Sequence, residues 1–475
     1  MSKELGMTTK KKNFSKWYLE VVKKAEIVDT RYPLQGAHVW MPYGFKALKL
    51  MFKIVEEELD NYGHEETYFP TLIPGSIFSK EKNFLRGFKG ECFKITKAGE
   101  KKLEEELILR PTSETVMYEI FHLWIRSWRD LPLKIYQTVN IFRYETKMTK
   151  PLLRVREIVK FKEAHTVHKT AEEADKQVEE GIKIYKNFYD KLCLPYIILK
   201  TPKWDTFAGA EYNYDFFIIM PDKNVLELAS VINLGQKFAK SFDIKFEDQD
   251  GRKKYPYQTC YGISERSLGA LISMFGDDSG LILPMSIAPI QIIIIPIGNE
   301  KKVMDKCKEL EKILKHKFRV KIDDSAKRPG FKFNYWELKG VPIRIEIGLK
   351  ELKEKKLTIF RRDKNEKEKI SNKNLIKYIH SLEKDINKNL SRIGKQWMKE
   401  NIYSTKTLKD AKNTYKKNRG IIKVPWCNNE KCAKKIEDTL AVSSLGTNPG
   451  EKCEEKCVAC GKKSKTYLYL GKVPY

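Results

Sequence analysis

No apolar run approaches the roughly 20 residues that a helix needs to cross a bilayer, so the chain is not expected to span a membrane. The N-terminal stretch MSKELGMTTKKKNF has no apolar h-region, which argues against a secretory signal and makes a cytoplasmic location the expectation. Neither a P-loop nor a Rossmann glycine fingerprint is present, and no internal repeat suggests a solenoid. Acidic residues are in short supply: 63 Asp and Glu against 91 Lys and Arg leave a net charge of +28. A charge of that size and sign favours a polyanion, either nucleic acid or a membrane surface. The excess is spread along the whole chain, so a lysine-rich or heat-adapted surface accounts for it as readily.

The 475 residues, 41% of them hydrophobic, suffice for about three domains with real cores. Residues 1–284 mix two periodicities. FKALKLMFKIVEEELDNYG has helical spacing and ends at Gly63, a plausible cap. HEETYFPTLIP reads as a strand carrying Pro70, which suits an edge or a partner-facing position. IYQTVNIFRYETKMTKPLLRVREIVKF reads as a long antiparallel hairpin, and SETVMYEIFHLWIRSWRDL as an amphipathic helix. VLELASVINLGQKFAKSF reads as a strand running into a helix or loop, and TCYGISERSLGALISMFG as strand, turn and buried helix. Hairpins outnumber β-α-β units, which predicts an α+β fold with an antiparallel sheet and helices on one side. Over 285–395, strands alternate with helices (PIQIIIIPIG, KKVMDKCKELEKILKH, FRVKIDD, GVPIRIEIG, KLTIFRRD, NLIKYIHSLEKDINKNL), as in a compact α/β domain. Residues 396–475 form a third segment, lysine- and asparagine-rich before it becomes cysteine-rich.

Of nine cysteines, Cys92, Cys193, Cys260 and Cys307 are scattered and read as reduced core or site residues. Cys427 and Cys432 are separated by four residues and Cys457 and Cys460 by two, with Cys453 between the pairs. Two short thiolate hooks at the ends of a loop are the layout of a closed, tetrahedral zinc site. Cys453 could replace Cys457, and free thiols are the other reading. With four protein thiolates no coordination position is left for a substrate, so the role is structural.

Phe142-Arg143-Tyr144-Glu145 carries the most chemical information. Side chains two apart on a strand share a face, so Arg143 and Glu145 are expected to point the same way. An arginine fork suits a phosphate and a carboxylate suits an amine, although an isolated R-x-E is more often a cross-strand ion pair. Arg110-Pro111-Thr112-Ser113-Glu114-Thr115 stands before an amphipathic helix and by itself reads as an N-capping box. Glu227-Leu228-Ala229-Ser230 sets a carboxylate near a strand end, where it could serve Mg2+ or ribose hydroxyls. Arg266 opens the buried helix after Gly262-Ile263-Ser264-Glu265. His165 and His168 lack a third ligand and read as structural.

The order of these segments resembles the three motifs of class II aminoacyl-tRNA synthetases. YFPTLIP, RPTSET, RVREIVKFKEAHT, FAGAEY, TCYGISER, GDDSGLILP and PGFKFNYWELKGVPIRIEIG narrow the resemblance to prolyl-tRNA synthetases of the archaeal and eukaryote-like type. It covers about residue 14 to the C-terminal Tyr475. The resemblance implies a class II catalytic domain (1–284), an α/β anticodon-binding domain (285–395) and a C-terminal α/β zinc-binding domain (396–475), assembled as a homodimer around the Pro70 region. It implies a proline–tRNA ligase that uses L-proline, ATP, Mg2+ and tRNA(Pro), with structural Zn2+.

By the family's pattern Arg143 contacts the α-phosphate and the amino-acid carboxylate, Glu145 takes the adenine amino group, and Arg266 holds the far phosphates. Arg154 or Arg156 takes the γ-phosphate or ribose side. Glu227, Ser230, Gly262 and Ser264 complete the ATP set. Thr112 and Glu114 hold proline's secondary ammonium, with His165, Phe207 and Cys260 walling its ring. Trp336, Glu337, Arg344 and Glu346 fit a reader of anticodon bases, though the aromatics also fit plain core packing. The chain departs from the pattern at Ile232 and Phe275, where histidines often stand, which predicts a more apolar proline pocket. About 95 residues separate the hairpin from Gly262, leaving no room for the cis-editing insertion of bacterial-type relatives. A paralogue that only binds RNA is expected to have lost Arg143, Glu145 or Arg266, and all three are present.

Overall fold

The computed structural model describes residues 6–80, 92–146 and 148–474; Tyr475 and the first five residues lie outside them. The central element is a seven-stranded sheet: β1 (Glu65–Glu66), β2 (Leu133–Phe142), β3 (Glu157–His168), β4 (Ile197–Lys200), β5 (Tyr212–Ile219), β6 (Val225–Gly235) and β7 (Tyr257–Ser264). The spatial order is β1-β2-β3-β7-β6-β5-β4. Every pairing is antiparallel except that of the short edge strand β1 with β2. Two long amphipathic helices, Pro42–Asn61 and Ala171–Lys191, stack on one another, and the second lies across β3, β7 and β6. Its buried Tyr185, Phe188 and Tyr189 pack on Phe216 and Tyr261 and seal that face of the sheet. The opposite face carries the candidate site.

Strand register decides what that face presents, because directly paired residues on neighbouring strands point to the same side. One row runs Asp215–Ser230–Gly262–Glu163–Gln137 across five strands. The next, two residues along, runs Asn213–Ile232–Cys260–His165–Ile135. Residues scattered over 125 positions of sequence thereby become neighbours.

A second sheet, in the order 320–322, 292–296, 343–347, 356–361, 366–371, is parallel in its first two pairings and antiparallel beyond them. It is joined to the unit built on the seven-stranded sheet by Arg362, fully buried, whose fork donates to both oxygens of Asp277 at 2.8 and 2.5 Å while Nε donates to the Glu337 carbonyl. Gly280 (φ +140°) is required there, since a Cβ would sit 2.4 Å from Leu338 Cα. A third, four-stranded sheet (402–404, 421–426, 466–471, 443–446) covers the exposed edge of β4 through paired bonds between Lys200 and Thr447. Burying that edge removes a row of unpaired backbone groups from solvent. Among the described residues no helix is long and apolar enough to cross a membrane.

Several elements differ from the sequence expectation. HEETYFPTLIP is not one strand: Pro70 lies between β1 and a separate strand, Leu72–Pro74, of a small three-stranded sheet. Proline lacks the N–H to continue a ladder, and the flanking Phe69 instead gives its N–H to Gln137 and its carbonyl to Arg110. The amphipathic helix stops at Trp124, and a 3-10 turn, Trp128–Asp130, follows, closed by a Ser127–Asp130 capping box. FKFNYWEL, read without an element, is the helix Pro329–Leu338, with proline in its first turn. The helix expected over NLIKYIHSLEKDINKNL runs on to Glu400, through residue 395, because buried Gly394 and Met398 continue its apolar stripe onto Pro195 and Ile219 of the first unit.

Candidate active site

The open face of the sheet holds a cavity of about 320 Å³ lined by both register rows. One end is acidic and hydroxyl-rich. Arg110, fully buried, donates to the carbonyls of Phe69 (2.5 Å) and Asn140 (2.9 Å) and pins the loop that carries Thr112, Ser113 and Glu114. The capping box expected here does not form. Ser113 occupies the N-cap position without a capping bond, and its hydroxyl donates to Glu163, as does its N–H at 3.2 Å. Gln137 adds a third donor to Glu163 at 3.1 Å, and Thr112 Oγ1 donates to Glu114 Oε2 at 2.5 Å.

These partners separate two neighbouring carboxylates. Burial raises the Glu114 carboxyl, with Glu163's charge adding to the shift and His165 opposing it. For Glu163 burial works in the same direction, but hydrogen bonds and charge from His165, Ser113 and Gln137 outweigh it and hold the group below the usual range. The Cys260 thiol is 3.8 Å from Glu114 and is pushed well up, first by burial and then by that carboxylate, so it stays protonated. Tyr118 O–H and His165 Nδ1 are 2.9 Å apart, which sets the imidazole plane. Phe207 and Ile232 supply the apolar wall.

The other end is cationic. Arg143 lies just beyond β2, donates to the Pro111 carbonyl at 3.0 Å, and faces the Phe161 ring at 5.7 Å. Arg266, the first residue of the helix Arg266–Phe275, donates to the Leu153 and Glu227 carbonyls, both at 3.1 Å. Burial lowers its pKa, yet a guanidinium keeps its proton under any ordinary condition. Glu227 is raised to about 7, mainly by burial and then by Asp215, against the pull of Arg266 and Arg143.

Of the residues singled out from sequence, the cavity gathers Thr112, Glu114, Arg143, His165, Phe207, Cys260, Glu227, Ser230, Gly262, Ser264 and Arg266. Glu145, Arg154 and Arg156 are not among its lining residues. β2 ends at Phe142, so Arg143 and Glu145 lie beyond the regular strand, and the charges of both act on Arg266. Glu145 Oε2 lies 3.5 Å from Arg154 Nε, and Arg156 stacks on Tyr144 at 4.2 Å while donating to the Glu145 carbonyl. Among the wall residues that escaped the sequence reading are Glu163 and Phe161. Their signal was the period of two that sets 161, 163 and 165 on one face of β3.

In the second domain, Trp336 donates to Asp323 at 2.8 Å, and Arg344 is sandwiched between Phe333 and Phe360, 4.1 Å from each ring. Arg344 also donates from Nη1 to Glu337 (2.6 Å) and from Nε to Glu346 (2.9 Å). In the third, the thiol sulfurs of Cys427, Cys432, Cys457 and Cys460 all lie within 4.8 Å of one another. The set contains Cys457 and not Cys453, and four sulfurs at that spacing fit a tetrahedral Zn2+.

The chain matches the family model of the class II tRNA synthetase core domain (G, H, P, S and T) over residues 93–275 and that of an anticodon-binding domain over 291–382. It is a class II aminoacyl-tRNA synthetase, an ATP-dependent enzyme. Residues 408–473 match the C-terminal domain of prolyl-tRNA synthetases. Proline–tRNA ligases of Pyrococcus abyssi (45% identical, covering 95% of this chain and 96% of that protein) and Methanocaldococcus jannaschii (48%, covering 90% and 96%) align over nearly their full length. Prolyl-tRNA synthetase from Giardia lamblia, solved with prolyl-adenylate, superposes with a TM-score of 0.95 at 36% identity, covering 98% of this chain and 99% of that one. The Cryptosporidium parvum enzyme, solved with L-proline and AMP, gives 0.92 at 31% identity, covering 98% and 97%. The chain belongs to the prolyl-tRNA synthetase family.

Proposed function

We propose that the protein activates L-proline with ATP and transfers the prolyl group to tRNA(Pro). The observation that carries this reading is that one cavity joins a buried carboxylate–hydroxyl end to a two-arginine end. Proline's ammonium goes to Glu114 and Thr112, with its ring against Phe207, His165, Cys260 and Ile232. Its carboxylate oxygen attacks the α-phosphorus, forming the mixed anhydride as the bond to the β-phosphate oxygen breaks and pyrophosphate leaves. Two anions must meet, so the need is for positive charge rather than a general base. Arg143 lies between the two reactants, and Arg266 takes the departing phosphates. Glu227 and Ser230 would hold the ribose or Mg2+, which when bound screens the phosphate charge. In the second step the terminal 3′-hydroxyl of tRNA attacks the prolyl carbonyl carbon and AMP leaves.

Proline-dependent ATP–pyrophosphate exchange tests the reading, with alanine and cysteine as competitors. Proline is expected to exceed alanine by at least about 10²-fold in kcat/KM, since each methylene in an apolar pocket counts for roughly 10–200-fold. Absence of exchange with proline would sink the assignment. Residues 169–256, between β3 and β7, are taken up largely by β4, β5, β6 and the helices beside them, in keeping with a chain that lacks a cis-editing insertion. Cleavage of alanyl-tRNA(Pro) by the purified enzyme would contradict that.

The exposed Tyr68, Leu72, Leu123 and Trp124 cluster about the Pro70 segment, where Phe69 packs on Trp124, and we assign this surface to a homodimer. The anticodon arm falls to the second domain, and the protein works in the cytoplasm. Zn2+ sits on the four thiolates in a structural role. Metal analysis should find one zinc per chain, and Cys457→Ser should lose it and lower the thermal midpoint. Full zinc retention in that variant would remove Cys457 from the ligand set.

A further inference from the structure

Asp215 does not line the cavity, yet the polarity of the nucleotide end is set through it. Its carboxylate is buried in the same register row as Ser230 and receives three donors: the Thr201 hydroxyl at 2.5 Å, the Asn213 amide at 2.9 and 2.8 Å, and the Ser230 hydroxyl. Burial raises this carboxyl, while the hydrogen bonds from Ser230, Thr201 and Asn213 oppose that shift; with three donors aimed at it, the group serves them as an acceptor. The single hydrogen of Ser230 is therefore committed to Asp215, and Oγ turns only lone pairs toward the cavity. Those lone pairs stand in the wall beside the Glu227 carboxylate. Such a pair attracts a hydrogen-bond donor or a cation and repels phosphate oxygens.

We propose that Asp215 is a positioning residue of the nucleotide site, forcing Ser230 to act as an acceptor and so directing the ribose hydroxyls or the magnesium ion of ATP to the Ser230–Glu227 wall while the phosphates go to Arg143 and Arg266. This rests on the ATP-dependent reading of the site. Asp215 also acts on Glu227 directly. The groups facing Glu227 are Asp215 on β5, Asp205 in the loop between β4 and β5, Arg266 at its helix head and Arg143 beyond β2. After burial, Asp215 is the largest influence keeping Glu227 protonated up to about pH 7. Removing its charge lets Glu227 ionise at lower pH.

ATP affinity measured by calorimetry without proline tests this on wild type, Asp215→Asn, Ser230→Ala and the double variant. At pH 8.5, where Glu227 is ionised in all four, Asp215→Asn is expected to weaken ATP about tenfold, as loss of one charge-assisted contact does. In the Ser230→Ala background the same change should matter by less than about twofold, because the contact it controls is already gone. Between pH 5.5 and 8.5 the acid limb of ATP binding should move to lower pH in Asp215→Asn. Equal weakening in both backgrounds, or an unmoved limb, makes Asp215 merely structural and overturns the proposal.

If Asp215→Asn fails to fold, Ser230→Ala alone decides. Its penalty should vanish with 2′,3′-dideoxy-ATP if a ribose hydroxyl is the donor, or without Mg2+ if the cation is. A penalty independent of both overturns the acceptor role. Wild-type protein that binds no ATP refutes the underlying function instead.

Discussion

Arg143→Ala lowers proline-dependent ATP–pyrophosphate exchange by at least about 10³-fold, the upper range for losing one preorganised charge at a transition state. Three facts place the effect here. Arg143 stands in the cavity with its Nε held by the Pro111 carbonyl, so its fork is oriented before any substrate arrives. It bridges the acidic and cationic ends, so on the proposed reaction it meets both the nucleophile and the phosphorus under attack. Among the described residues no neighbour is placed to substitute: Arg266 is engaged with the departing phosphates in the proposed reaction, and Arg154 lies 3.5 Å from Glu145, outside the cavity lining. Arg143→Lys should recover little, because a point charge cannot reproduce a planar fork shared between two anions. The thermal midpoint should fall only slightly, since one hydrogen bond is worth about 1 kcal/mol. Exchange within tenfold of wild type in Arg143→Ala would remove Arg143 from the chemistry.

The second large effect is expected on proline alone. Glu114→Gln should raise the KM for proline about 10²-fold and leave the KM for ATP within about threefold. Glu114 is buried and its carboxyl is raised, so in the empty site it tends toward the neutral form. A secondary ammonium arriving beside it restores the charge, and that charge-assisted bond in a dry pocket is worth about 1.5–3 kcal/mol. Glutamine keeps the shape and loses the charge. Glu163 cannot take over, because Ser113 and Gln137 already occupy its oxygens. Steady-state exchange at varied proline and varied ATP separates the two constants. An unchanged proline KM would move the ammonium site elsewhere, and an equal rise in both constants would mean that Glu114 supports the fold of the cavity rather than the substrate.

Particular residues show how far local sequence could be read. FRYE was legible as a hairpin end with a phosphate-capable arginine, but the exact end of the strand, at Phe142, was not. RPTSET by itself read as a capping box, and only the presence of Glu163 across the sheet turned the Ser113 hydroxyl away from its own helix. Glu163 itself carried a period-two signal, yet nothing local distinguished it from other charged residues of β3. Arg344 was read with Trp336, Glu337 and Glu346 as a reader of anticodon bases, and its packing between two phenylalanines and two carboxylates was invisible at the level of spacing.

Taken by itself, the sequence determined what depends on near neighbours along the chain. The period of two yields the hairpin strands, the head of a buried helix yields Arg266, and two short cysteine hooks yield a zinc-binding layout. What only the tertiary structure decided is which of these residues share a surface and in what protonation state. Strand register, set by the pairing of β5, β6, β7, β3 and β2, lines Asp215, Ser230, Gly262, Glu163 and Gln137 into one row. Burial in the cavity wall then raises Glu114 and Glu227 while hydrogen bonds lower Glu163. Both effects arise between residues tens of positions apart, and hydrogen-bond direction and desolvation depend on distances in space that local spacing does not encode.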